Sequence, residues 1–179
     1  MKRFISLCVA LVVASVATSV SAQNIIGRWS VDSKALMGAD ESMGASELSL
    51  IYDFRADGSC ICTADITMTV PLSTEEGVTL EFDMTMSANL SWRLADNKLC
   101  FTPNDVSLGV GDLRISPQSD EYVALVPMLR EMLVSEFELS RNTMLNQFGV
   151  KDSELTVSFP TPDTMYITGD TKTLVLTRL

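Results

Sequence analysis

From Leu48 onward apolar and polar residues alternate with a period of two over several successive segments, which predicts strands with one buried and one wet face. Leu48, Leu50, Tyr52 and Phe54 alternate with Ser49, Ile51, Asp53 and Arg55, and Ala56-Asp57-Gly58 then turns the chain. Cys60, Cys62, Ala64, Ile66, Met68 and Val70 form the next apolar face, ending in a loop from Pro71 to Gly77. The longest run places Val78, Leu80, Phe82, Met84, Met86, Ala88, Leu90, Trp92 and Leu94 on one face. It exceeds the usual strand length, so it predicts one bent strand or two strands joined near Ala88-Asn89. Asp96-Asn97 suits a two-residue hairpin loop, and that register sets Leu94 opposite Leu99 and Trp92 opposite Phe101. Val106 to Ile115 reads as a weaker strand with a bulge at Gly109 or Gly111.

The period changes at Ser119. Ser119-Asp120-Glu121 has the form of an N-cap with acids in the first turn, followed at helical spacing by Val126, Leu129, Leu133, Phe137, Met144 and Phe148. Gly149 stops the run, and Pro127 either kinks the helix or marks its true start. Three short strands close the chain at Glu154 to Phe159, Thr164 to Thr168 and Lys172 to Arg178. About eight or nine meandering strands in one domain predict an all-β fold with a helix inserted at about 119–149. The expected architecture is an antiparallel up-and-down β-barrel, with a β-sandwich as the other possibility.

The first residues change the picture of where this domain works. Met1-Lys2-Arg3 is a short basic start, Phe4 to about Ala17 is apolar, and Ser19-Val20-Ser21-Ala22 offers small residues for a signal peptidase. Residues 1–22 therefore read as a signal peptide and 23–179 as the mature domain, exported to the periplasm or beyond the cell. The apolar run is shorter than the roughly 18 residues a membrane anchor needs. Leu7 stands before Cys8 where a lipoprotein would carry a small residue.

The chain has a formal charge of -10, and loss of Lys2 and Arg3 with no acid takes it to -12. Such a surface does not attract nucleic acid or anionic lipid. The sequence contains no histidine, which removes His-based triads, His general bases and ordinary His-ligated zinc. Cys60, Cys62 and Cys100 remain after cleavage, an odd number for an oxidising compartment.

Both chain ends carry a resemblance. Gly27-Arg28-Trp29 before the first strand is similar to the opening Gly-x-Trp of the lipocalins, and Leu174-Val175-Leu176-Thr177-Arg178-Leu179 resembles their closing strand. Tyr52 to Gly58 and Ser91 to Leu99 look like the small lipocalin-like proteins, of the calycin superfamily, that some Gram-negative bacteria export. The resemblance implies a barrel in which Arg178 packs over Trp29, and Arg178 shares the inward phase of Leu174 and Leu176, as that arrangement needs. It departs from the family in placing the helix before the last three strands, and the linker from Asp32 to Ser46 is not an evident lid.

The inward face supplies the candidate site. Tyr52, Phe54, Met68, Phe82, Met84, Met86, Trp92 and Met165 are expected inside the barrel, with Met128, Met132 and Met144 as further candidates from the helix. Flexible thioethers suit a pocket for varied apolar ligands, and they also serve as ordinary gap-fillers in a packed core. Gly27, Trp29 and Arg178 are expected to be structural. Cys60-x-Cys62 could hold copper(I), but no histidine or further cysteine completes a set, so no metal or cofactor is expected. Asp53, Asp65, Glu81 and Asp83 fall on the wet face, leaving no catalytic carboxylate pair in view. The expected function is non-enzymatic binding of a small apolar or amphipathic molecule. The alternative is an envelope interaction or structural domain with a filled core and no ligand, which works through the helix or the barrel rim.

Overall fold

A computed structural model describes residues 22–32, 45–73, 77–148, 155–170 and 172–179. A single helical turn, α1 (Ala22–Ile25), leads into β1 (Gly27–Val31), β2 (Ala45–Phe54), β3 (Ser59–Ser73), β4 (Val78–Ala95) and β5 (Lys98–Ser116). Helix α2 (Asp120–Phe148) follows, then β6 (Leu155–Thr161), β7 (Thr164–Thr168) and β8 (Thr173–Arg178). Each strand pairs antiparallel with the next, and β1 pairs with β8, so eight strands form a ring in sequence order. Most of the linker from Asp32 to Ser46 lies outside the described residues.

The hairpin register follows from its turn. Asp96 and Asn97 adopt φ of 52° and 64°, the left-handed values a tight two-residue loop requires, and Leu94 then faces Leu99 while Trp92 faces Phe101. The run from Val78 is one strand, with a register shift between Asn89 and Leu90 close to where its length predicted a bend. Val106 to Ile115 is not a separate strand; it is the upper part of β5. Gly109 lets β5 lie close against β4, since a Cβ there would come within 2.6 Å of Thr85 Oγ1. The bulge itself falls at Gly111-Asp112, where two residues oppose Asp83 alone.

Strand length divides the molecule. β6, β7, β8 and β1 have 7, 5, 6 and 5 residues, whereas β3, β4 and β5 have 15, 18 and 19, so the long strands run on past the ring. Their inward face would be wet there if nothing covered it. Helix α2 covers it: Tyr122, Val126, Leu129, Leu133 and Phe137 pack on Val78, Leu80, Phe82 and Ile115. The helix starts where its cap predicted, with Tyr122 N–H donating to Ser119 Oγ at 3.2 Å. Pro127 lies inside the helix on its exposed side and does not begin it.

Two of the helix methionines are outside, contrary to expectation. Met128 and Met132 are 52% and 58% exposed because the inward stripe is filled by Val126, Leu129 and Leu133, which leaves them on the outer side. The side chains of Met144 and Phe148 lie outside the described residues.

Helix α2 also completes the edge of β5. Among the described residues β6 pairs with β5 only at Lys98 and Leu99, and backbone carbonyls higher on that edge have no described strand partner. Arg130 Nη1 donates to Val110 O at 3.0 Å and Arg141 Nε to Val106 O at 2.9 Å, and Arg141 also pairs with Asp105. Because the Arg141 side chain is half exposed, Arg141→Ala should cost only about 1 kcal/mol, near the mean for an intramolecular hydrogen bond. Chemical denaturation checks this, and an unchanged midpoint would remove Arg141 from the edge.

Candidate functional site

The floor of the ring is built around Trp29. It lies directly opposite Arg178 in the β1–β8 pair, with the guanidinium carbon 4.2 Å from the ring centroid. Trp29 Nε1 donates to Ile25 O at 2.7 Å. Arg178 donates to three carbonyls: Asn24 O at 2.8 Å, Ile26 O at 3.1 Å and Pro162 O at 3.3 Å. One side chain thus ties the chain before β1 to the β6–β7 turn. Gly27 has φ of 132°, and a Cβ there would stand 2.9 Å from Arg178 Nη1, so both its conformation and its space demand glycine. Ile25, Phe54, Cys60, Leu90, Leu99, Met165 and Leu176 complete a buried floor.

Above the floor the inward face changes character. Leu50 and Tyr52 on β2, Ile66 on β3, Met84 and Met86 on β4, and Leu108 and Val110 on β5 have the inward phase but keep accessible surface. Tyr52 shows what this means. Burial, and then the neighbouring Cys62, push its phenol well above the ordinary tyrosine pKa, yet the side chain is only partly buried. Tyr52 therefore borders the packed floor while keeping some accessible surface.

The eight candidates therefore divide. Phe54, Phe82 and Met165 are buried as packing residues. Tyr52, Met86 and Trp92 border the floor cluster, whereas Met68 and Met84 belong to the cluster under α2. Trp92 has a structural task as well, donating through Nε1 to Ser59 O at 3.0 Å and holding the β2–β3 turn. Tyr52 and Met86 are the two that fit a ligand-facing role best.

A further feature beside the helix was not read from the sequence. A groove of about 270 Å³ lies between β5 and α2, lined by Val106, Leu108, Val110, Val134 and Phe137 with Ser107, Glu138 and Arg141 at its polar side. Val106, Leu108 and Val110 share the inward phase, so the groove runs along the seam where β5 lacks a described strand neighbour. It arises from helix–strand docking across roughly thirty residues of sequence, for which no local pattern exists. A second depression, lined by Arg28, Ile51, Asp53, Ile61 and Thr63, lies on the outer face of β1–β3.

The cysteines sit in two environments. Cys60 faces Phe54 and Leu90, Cys62 faces Tyr52 and Ala88, and both are buried; Cys100 stands beside Arg93, and all three are free. Burial pushes the Cys60 thiol up to about 12 and the Cys62 thiol up to about 11 from a model-peptide value of 9.0. Unfolded thiols ionise first as pH rises past 9, so these two groups favour the fold below pH 9 and that contribution fades between 9 and about 12. At pH 8 a thiol reagent should label Cys100 in the folded protein, and Cys60 and Cys62 only after denaturation. A Cys60–Cys100 or Cys62–Cys100 disulfide peptide would contradict the hairpin register.

The acids have surface partners. Asp53 pairs with Arg55, and Glu81 and Asp83 pair with Arg114. Among the described residues no polar or charged residue is fully buried and no acid or cysteine cluster suits a metal ion. No described helix is long and apolar enough to cross a membrane. Comparison with known protein families and with curated proteins finds no match to this chain.

Proposed function

We propose that this chain is an exported, lipocalin-like, non-enzymatic protein that holds a small apolar or amphipathic molecule in the upper interior of its ring. The lipocalin-like reading is supported by the consecutive eight-strand order and by Arg178 lying over Trp29 behind the Gly27-Arg28-Trp29 opening. The observation that carries the ligand is the accessible inward wall at Leu50, Tyr52 and Met86 above a packed floor. The same wall weighs against the alternative of a wholly filled core. Drug-sized ligands occupy pockets of about 300–1,000 Å³, so the groove of about 270 Å³ between β5 and α2 fits a small molecule or one end of a chain. In an apolar lining the Tyr52 hydroxyl would orient a single polar group. Residues 1–22 are proposed as the signal peptide that delivers the domain to the periplasm or the exterior.

Titration of the mature protein with the apolar fluorophore 1-anilinonaphthalene-8-sulfonate tests this reading. Saturable binding to the folded protein at one site supports it. Enhancement that appears only as the protein unfolds would overturn it.

A further inference from the structure

The outward side of α2 carries a second apolar stripe that the fold does not use. Leu125, Met128, Met132 and Leu139 recur at i, i+3, i+7 and i+14, and are 37%, 52%, 58% and 75% exposed. This is the seam spacing of a helix that meets another helix, with three positions a full heptad apart. The inward stripe at Tyr122, Val126, Leu129, Leu133 and Phe137 packs on the strands, and none of the four outward residues belongs to that core cluster. Apolar side chains in such a row are an unusual surface for a small soluble domain.

The charges beside the stripe say what could cover it. At 3.6 residues per turn Glu136 falls on one flank, Glu131 and Glu138 on the other, and Glu121 lies in line with the stripe at its N-terminal end. All four are exposed. The helix arginines do not neutralise them there, because Arg130 and Arg141 point to the β5 edge and bond Val110 O and Val106 O. The result is an apolar seam with acidic rims and no basic counterpart. A second copy of this chain would bring like charges together along both rims, and an anionic lipid surface would be repelled.

We propose that the outer face of α2 docks an amphipathic helical segment of a partner protein that carries apolar residues at heptad spacing flanked by lysine or arginine. Apolar contacts along Leu125, Met128, Met132 and Leu139 provide the adhesion, and the acidic rims select a basic partner and fix its register. One helix face is a small interface, so the complex is transient. Binding here is separate from ligand binding inside the ring, because the outer stripe is turned roughly a third of a turn around the helix from the stripe that packs on the strands.

The test uses the mature protein and two synthetic helical peptides with leucine at the seam positions, one with lysine and the other with glutamate at the flanks. Fluorescence anisotropy should show saturable binding of the leucine–lysine peptide, weakening as salt is raised, and none of the leucine–glutamate peptide. Met132→Ser with Leu139→Ser, both at exposed positions, should weaken it about tenfold or more while the melting temperature stays unchanged. Glu131→Lys with Glu136→Lys should shift preference toward the leucine–glutamate peptide. Equal binding of both peptides, binding of neither, concentration-dependent dimerisation through the stripe, or attachment to phosphatidylglycerol vesicles would each overturn the proposal.

Discussion

Replacing Trp29 with alanine should lower the unfolding free energy by about 3–5 kcal/mol, the usual cost of removing a large aromatic ring from a packed core. In a domain of this size about 1 kcal/mol moves the melting temperature by roughly 2–4 °C, so the shift should be of the order of 10 °C. Trp29 is wholly buried, lies tilted against Phe159 with centroids 5.8 Å apart, and holds Ile25 O, so its loss leaves both a cavity and a carbonyl without its donor. Arg178→Ala should cost about 2–3 kcal/mol, because it deletes three charge-assisted bonds to carbonyls of the segment before β1 and of the β6–β7 turn. Its side chain is about one-third exposed, which keeps the effect below that of Trp29. The two changes should combine to less than their sum, since the guanidinium lies on the indole face that the first substitution removes. Strict additivity in thermal or chemical denaturation would show that the stack carries no energy of its own.

Substitution of Met86 by tryptophan distinguishes a recess from a filled core. Met86 faces Ala64 and Leu108 across the sheet and keeps accessible surface on the inward side. If space lies before it, the larger ring enters that space: fluorophore affinity should fall about tenfold or more while stability changes little. In a close-packed interior the same substitution would cost about 1–3 kcal/mol through strain. Denaturation and probe titration of one variant therefore give opposite patterns for the two readings.

Much of the fold was legible because its causes are local. The left-handed conformation that Asp96-Asn97 favours fixes a hairpin and with it Leu94 opposite Leu99 and Trp92 opposite Phe101; the shift between Asn89 and Leu90, which the turn does not encode, then sets Met86 opposite Leu108. Arg178 was legible for a different reason: the resemblance of the chain's opening and closing segments to the lipocalins implies an arginine packed over Trp29, and its inward phase agrees with that. The helix was readable as a helix, but its orientation was not settled for every position. Apolar residues occur on both the inward and the outward stripe, so Met128 and Met132 could be placed on the wrong side by periodicity alone.

The rest depends on contacts between segments far apart in sequence. Arg130 and Arg141 read as ordinary surface charges until β5 is seen to lack a described strand neighbour above Leu99. The groove at Val106, Phe137 and Arg141 exists only because α2 takes the place of that neighbour. Likewise the inward phase marked Tyr52, Phe54 and Met165 alike; only packing separates the buried floor from the accessible wall.

Native mass spectrometry of the protein recovered from a periplasmic fraction tests the proposed export and the proposed binding in one measurement. The expected spectrum shows a chain of Gln23 to Leu179 with a non-covalent adduct that leaves on collisional activation, and the adduct should be absent from Met86→Trp. A chain that retains residues 1–22, or a correctly processed chain that carries no adduct and fails to take up the fluorophore, would contradict the proposed function.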